Sequence, residues 1–599
     1  PRGVLWKVEG VEVPSPSHFA GQGASGGAIS MLSAQMMANS EFYTGAFPAD
    51  QGNALSGVFD VRLRKGNYRK HEHAVELGVL GANLASEGPF KKGYNGSYLI
   101  NYRYSALTIL EAIGFQLVGD AIPAFQDLSY NVYLPTKNAG TFTLFGIGGI
   151  SRVEEEWEQD SAFLTNAYKT DLMITGLTHR IPIKKNMVLQ SAIAYTITRN
   201  SYKENATDEN GTDLYVPVNT NFVNGNARAL TGITWKPNGK NMLRTGVIAS
   251  MLGYDYLYRF YVPDDSTYRT EQDSRGQTFS FQAYATWKHR FTETFSIISG
   301  VHYLHLFLNS SNAVEPRLGL EWRIREQHQI TLGFGLHSRV EDLSVYRAYV
   351  NDNTGNRIYP NESIGFTKAA HAVLGYDLRI GPEARLKTEV YYQYIYDVPV
   401  SDTASSFSGL NFDNGFTTEP LVNEGEGFNY GIEITLEKFF SNNWFALFTG
   451  SLFESKYRGA DEVLRDTRYN GNYSVSLNGG KEFLVGKEKQ HAIGMSFRGT
   501  LAGGRRYSPI LLEESMIAGF TVSDETRAFE AQFQDYFRID VQLYFRRNKK
   551  KTTGTWKLDI QNATNRLNTQ NIFYDASYGG LRESTQLGIV PVLSYKLEF

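Results

Sequence analysis

Along most of this chain apolar and polar side chains alternate one by one, over stretches too long for an ordinary strand. In Ala384–Tyr396 the even positions carry Ala384, Leu386, Thr388, Val390, Tyr392, Tyr394 and Tyr396, while the odd ones begin Arg385, Lys387 and Glu389. In Phe533–Phe545 the odd positions hold Phe533, Phe537, Ile539, Val541, Leu543 and Phe545, against Gln534, Arg538, Asp540, Gln542 and Arg546. The chain ends the same way, with Leu587, Ile589, Pro591, Leu593, Tyr595, Leu597 and Phe599 set against Gly588, Ser594, Lys596 and Glu598. Side chains on a strand point alternately to its two faces, so each stretch is a strand with one apolar and one polar face. Sandwich strands alternate too, but they usually run about five or six residues, roughly half the length seen here.

The links sharpen the choice of fold. Short ones fall near Lys184–Asn186, Pro237–Lys240, Arg290–Thr292, Arg325–Gln327, Gly381–Glu383, Phe440–Asn443, Leu484–Lys487 and Asn548–Thr552. Between them lie long polar stretches at about 151–168, 200–220, 254–276, 339–365, 397–425, 457–467, 502–530 and 564–585. Strict alternation of short and long links is the pattern of an outer-membrane barrel, with tight turns at one end and large loops at the other. With Glu72–Phe90 read as a compact hairpin turning near Gly81, the count reaches about 22 antiparallel strands. The lumen of such a barrel is too wide for side chains to fill, so it needs a plug. Residues 1–70, punctuated by glycines and lacking the long alternation, are expected to supply part of one, and residues 71–599 the all-β transmembrane barrel.

Composition agrees with this reading. The 37 Tyr and 37 Phe against 18 Pro suit strands with aromatic girdles at two membrane interfaces. No run of about 18 apolar residues exists, so no transmembrane helix can be placed. A mean hydropathy of −0.34 is the average of an apolar and a polar face interleaved at period two. The absence of cysteine excludes thiolate metal sites, disulfides and cysteine nucleophiles, and a net charge of −3 argues against a nucleic-acid partner.

Candidate chemistry is sparse. His71 and His73 share a strand face and read as rim histidines, while His302 and His305 fall on opposite faces. Asp208, Asn210 and Asp213 have the oxygen density of a calcium loop without its terminal Glu. Trp157, among Glu154, Glu155, Glu156 and Glu158, is a candidate for substrate contact in a solvated acidic loop. Tyr254, Tyr256 and Tyr258 form a ladder that either stacks on a ligand or belongs to a lipid-facing girdle, and the girdle is the expectation. No catalytic constellation and no cofactor motif stands out, so no enzyme activity is expected.

Several segments resemble a known family. GVLWKVEGVEVP at Gly3–Pro14, GGAIS at Gly26–Ser30 and FYTGAFPADQGNALSGVFDVRLRKG at Phe42–Gly66 look like the second half of the plug of TonB-dependent outer-membrane receptors, closest to the Bacteroidota type that includes SusC-like transporters. Ser86–Phe90 and Tyr98–Ser105 resemble the family's first barrel strands, NATN at Asn562–Asn565 the pattern before its last outer loop, and YKLEF at Tyr595–Phe599 its C-terminal assembly signal. Family plugs are about twice as long and follow a TonB box. The expectation is therefore a processed form or fragment without the first plug half, with a naturally shortened plug as the alternative.

The resemblance implies an importer of a scarce or bulky nutrient, such as a glycan, a peptide or a metal chelate, in the outer membrane of a Gram-negative bacterium. It implies extracellular long loops, a periplasmic C-terminus, and contact with outer-membrane lipid and lipopolysaccharide. TonB would act through the absent N-terminal segment, and a SusD-like surface lipoprotein or other complex subunits are candidate partners. The alternative is a receptor-like barrel serving as a non-transporting structural subunit. The resemblance also makes Pro14–Phe19, continuing to Gln22, the apical plug loop. Ser15, Ser17, His18, Phe19 and Gln22 become candidates for cargo contact, with packing of Phe19 against the barrel as the plain reading. Arg62 and Arg64 at the end of the plug, and Glu72 and Glu76 on the first barrel strand, become candidate plug–barrel ion pairs.

Overall fold

The computed structural model describes all residues except 1–2, 23, 28, 106–122, 160–161, 208–212, 263–265, 353 and 413–416. From Glu72–Gly78 to Val590–Glu598 the strands form one closed antiparallel barrel, sealed where Val75 pairs with Leu597 and Glu76 with Lys596. Two short pieces, Asp213–Tyr215 and Leu464–Asp466, sit beside strands that also pair directly across them, which leaves 22 spanning strands. Closure removes every free edge, so the ladder satisfies its own backbone groups all the way round.

The period-two pattern lands as expected. Leu128, Leu144, Ile193, Val301, Val314 and Leu452 face outward and are 39–63% exposed, whereas Asp127, Ser250, Gln282, Glu315 and Arg317 face inward and are buried. Trp235, Trp287, Trp322, Trp444 and Trp556 are all exposed and all lie within a few residues of a short link. They form an aromatic girdle at that end of the barrel.

Two expectations about the links need correcting. Residues 151–168 and 254–276 are not open loops. In their described residues the strands Thr141–Gln159 and Ala162–Lys184 stay paired as far as Gln159 with Ala162, and Asn241–Val262 and Thr267–Arg290 as far as Val262 with Thr267. A ladder needs only backbone partners, so a polar sequence extends it into water as readily as an apolar one does in lipid. The alternation is also not strict, because the long-link end carries short links at Val79–Leu80 and Phe307–Ser310.

Inside the barrel a small sheet runs in the order Val11–Val13, Val4–Val8, Gly57–Val61, Glu41–Thr44, with Val4–Val8 and Gly57–Val61 parallel. Its apolar side does not close on itself. Val8, Val11, Val13, Met31, Met36 and Leu63 pack into one cluster with inward residues of the wall, among them Leu99, Phe145, Ile147, Leu172 and Ile174. Part of the wall therefore serves as the other half of the plug's core. The link between Arg339 and Thr367 also turns inward, so that Leu343, Val345, Tyr346, Ile364 and Phe366 bury against Phe222, Leu304 and Leu306.

The plug's first hairpin turns at Glu9 and Gly10, with φ of 53° and 82°, the pair of left-handed residues that a two-residue turn of this hand requires. Glu9 tolerates that conformation because its carboxylate accepts the Leu63 N–H at 2.6 Å and faces Arg62 at 4.0 Å. Burial raises the Glu9 carboxyl above the ordinary carboxylate value, against the Leu63 hydrogen bond that lowers it. The folded plug thus binds that proton more tightly than the unfolded chain does, and its stability falls as pH rises from the ordinary carboxylate value through the raised one. Hydrogen exchange at the Leu63 amide between about pH 4 and 8, corrected for the intrinsic rate, should show this loss of protection. Glu9→Gln should flatten the profile, and an unchanged slope in that variant would refute the assignment.

Candidate binding chamber and plug–barrel seam

The plug meets the wall through charged and amide side chains whose positions alternate with the barrel's outward apolar residues. Arg317, on strand Ser311–Arg325, is 6% exposed and reaches across to the plug. Its Nη1 donates to the carbonyls of Phe47, Pro48 and Gln51 at 3.1, 2.7 and 2.6 Å, and its guanidinium lies 5.2 Å from the centre of the Phe47 ring. Its Nη2 pairs with Glu315, which also accepts from Ser338 and lies 3.0 Å from His302 Nδ1. Gly52 passes so close here that a Cβ would collide with the His302 ring. His371 Nδ1 takes the Ala46 N–H at 3.0 Å, and Gln393 donates to the Leu55 carbonyl at 3.2 Å. Segment 46–55 is therefore held mainly by its backbone. Asp50 adds one ion pair to Arg244 at 2.6 Å.

A second anchor fixes the apical loop. The two-residue strand Ser17–His18 pairs with Ile29–Ser30, and His18, fully buried, places Nε2 3.0 Å from Asp127 Oδ2. Asp127 also pairs with Arg103 at 2.7 Å, and Arg103 donates to the Ser30 carbonyl at 2.6 Å. Phe19, at φ 56°, donates its N–H to Ser151 Oγ at 3.3 Å and sets its ring edge-on to Phe125. His18 and Phe19 thus pack the plug onto the barrel, His18 fully buried and Phe19 half-buried. Ser15 and Ser17 hydrogen-bond each other at 3.2 Å, and Gln22 accepts from Asn200 at 3.4 Å.

The other sequence candidates separate in instructive ways. Arg64 does join plug to barrel, but its partner is Glu87 on the second barrel strand, reached at 2.8 and 2.6 Å by its two terminal nitrogens. Arg62 stays within the plug, on Asp60 at 2.8 Å. Glu72 accepts from Asn67 at 2.8 Å and pairs with Lys70, while Glu76 lies 3.5 Å from Lys557 of the wall. The plug strand ends at Val61, so the shared-face argument for Arg62 and Arg64 lapses one residue too early.

The tyrosine ladder is neither girdle nor exposed platform. Tyr254 and Tyr256 face the lumen, 8% and 1% exposed, and with Tyr258 they pack under the inward-turned link. Tyr256 donates to Asn224 at 2.5 Å. His71 contacts the Tyr98 hydroxyl and His73 the Ser86 hydroxyl, each at 3.1 Å. Trp157 lies on a strand in register with Leu164, and its side chain is outside the described residues. So are Asp208 and Asn210 and the side chain of Asp213, so the calcium candidate is not described.

Between the apical plug loop, the wall and the root of the inward link lies a chamber of about 240 Å³. Ser15, Ser17 and Gln22 line it, as sequence reasoning placed them near cargo, together with Asn200, Asn224, Asn226 and Arg228 from the wall. The wall asparagines escaped sequence reasoning because inward amides on a strand look like any polar face.

These features define a plug-occluded 22-stranded barrel. No protein-family model matches the chain, and no curated protein matches it. Solved structures do. The ferric yersiniabactin uptake receptor FyuA from Yersinia pestis aligns over 100% of this chain and 89% of its own, at TM-score 0.69 and 11% identity. The siderophore receptor PiuA from Acinetobacter baumannii aligns over 99% and 89%, at 0.67 and 12%. FpvA of Pseudomonas aeruginosa, in complex with an iron-loaded pyoverdine, aligns over 100% and 80%, at 0.70 and 10%. At such identities the likeness is one of fold.

The seam makes one sharp prediction. Arg317→Met leaves Glu315 buried without its guanidinium and three plug carbonyls without their donor. It should cost about 3–5 kcal/mol of plug seating, read as faster hydrogen exchange across Phe47–Leu55. Unaltered exchange there would contradict the role given to Arg317.

Proposed function

We propose that this chain is an outer-membrane importer of the TonB-dependent kind, which captures a scarce or bulky nutrient from outside and admits it to the periplasm when its plug is displaced. The observation that carries the reading is a small plug seated in a wide barrel through hydrogen bonds that water can replace. A plug meant to stay would bury a continuous apolar seam, as domain interfaces built for permanence do. Here one flank is apolar, and the opposite flank, from Arg244 to Gln393, is held largely by polar groups, beside one small apolar cluster of Leu55 with Ala369, Ile395 and Val398.

In this reading the aromatic girdle marks one membrane interface, the barrel crosses the outer membrane of a Gram-negative bacterium among its lipids and lipopolysaccharide, the long links face outward and the C-terminus faces the periplasm. TonB pulls on the plug from the periplasmic side, and the chain performs no chemistry on its cargo. Neighbours of the fold named for siderophore uptake make a metal chelate one cargo class, beside glycans and peptides. Met516, Ile517 and Phe520, 56–88% exposed on the link 503–535, give a surface lipoprotein of the SusD-like kind or another complex subunit an apolar place to sit.

The test is uptake. Cells that depend on this protein for a limiting nutrient should lose accumulation when a protonophore collapses the inner-membrane gradient, and equally when TonB is deleted. Accumulation that survives both treatments would replace active import with passive passage. Normal accumulation after deleting this protein would favour the structural-subunit alternative.

A further inference from the structure

The chamber's lining says what kind of ligand it takes. Its charges are already answered from within: Glu12 accepts from Asn53 at 2.9 Å and lies 3.5 Å from both Gln282 and Arg228. Glu341 accepts the Thr367 hydroxyl at 2.5 Å, and Asp342 lies 3.9 Å from Arg339. Among the described residues three carboxylates face two guanidiniums and no lysine lines the space, so an anion entering it meets net negative charge. Each of these carboxylates already has a hydrogen-bonding or cationic partner within the protein.

What remains open is neutral and polar. Asn226 makes no side-chain hydrogen bond among the described contacts, and Asn224 uses only its oxygen, on Tyr256. Gln22 likewise uses only its oxygen, on Asn200, leaving its amide N–H groups free. Thr198 and Ser280 add hydroxyls that can donate or accept. Val13, Leu172 and Leu252 interrupt this array with apolar patches. A lattice of amides and hydroxyls broken by small apolar faces matches a molecule with many hydroxyls on a C–H framework. At about 240 Å³ the chamber has room for roughly eight waters, hence one small ring or the end unit of a longer chain.

We propose that the chamber is a binding site for a neutral, hydroxyl-rich ligand, with Asn226 and Asn224 as its principal hydrogen-bonding groups. The proposal rests on the importer reading and narrows it, away from a multiply anionic metal chelate. Trp6 borders the chamber, so its fluorescence reports on occupancy.

The experiment titrates the full chain in detergent with glucose, N-acetylglucosamine and maltose as neutral probes, and with an iron(III) tris-catecholate as the anionic probe, following binding by calorimetry and tryptophan emission. At least one neutral probe should bind. Asn226→Ala should weaken it by about tenfold, the loss of one or two neutral hydrogen bonds. The isosteric Asn226→Asp, which keeps the shape and adds charge, should weaken it too while the melting temperature stays unchanged. If no neutral probe binds, or if Asn226→Ala binds as well as the parent, the proposal is overturned. Binding of the iron chelate alone overturns the ligand class and leaves the importer standing. The importer reading fails separately, by accumulation that persists without the proton gradient.

Discussion

One buried guanidinium shows the constraint under which this molecule is built. Arg317 sits where plug meets wall and spends its donors on plug carbonyls, on Leu336 of the next strand and on Glu315. A guanidinium has five N–H donors in a fixed plane and no acceptor, so one side chain can hold several backbone oxygens at once. A lumen too wide to fill with side chains has to be filled by a separate element, and that element has to be gripped by a wall whose inner face is polar. Backbone carbonyls are the acceptors any plug sequence offers, and Arg317, His371 and Gln393 all use them or their N–H counterparts.

That solution produces an asymmetry of strength. The barrel's ladder is closed, with no exposed edge from which to unzip, and its outward positions carry a broad apolar band, among them Leu128, Ile193, Val314 and Leu452. The plug shares its core with wall residues such as Phe145 and Leu172, packs Leu55 against Ala369, Ile395 and Val398, and is otherwise held by hydrogen bonds and ion pairs worth about 1–3 kcal/mol each. Water entering the lumen can take over those contacts one at a time. Asn53 extends the linkage, since its amide oxygen takes the Val340 N–H at 2.9 Å while its amide nitrogen donates to Glu12. Moving segment 46–55 therefore disturbs both the root of the inward link and the charge balance of the chamber.

Much of the barrel was legible in the sequence because membrane and lumen impose opposite polarity on successive residues. The eight short links read from the chain all fall at observed strand breaks, since each needs turn residues that interrupt the alternation. The pattern says which residues share a face and not always which face that is. Tyr254, Tyr256 and Tyr258 were grouped correctly and pointed the wrong way, because tyrosine suits an interface and a half-wet interior alike. Arg64 was rightly placed on the seam, yet its partner Glu87 depended on how plug and barrel dock, which no local signal encodes. His18 had the same difficulty: its burial is fixed by Asp127 and Arg103, more than eighty residues away. The inward link at Leu343–Tyr346 read as one more polar outer stretch, its few apolar residues too short a run to announce a packed element.

The most direct test of this account is mechanical. With the barrel held in a bilayer and a handle attached at Pro1, force spectroscopy should show residues 1–70 paying out first, to roughly 240 Å of extended chain, while the barrel stays intact until a distinctly higher force. Barrel strands peeling away before the plug lengthens, or both yielding in one event, would contradict the central claim that a polar, water-replaceable seam makes the plug the weakest element in the molecule.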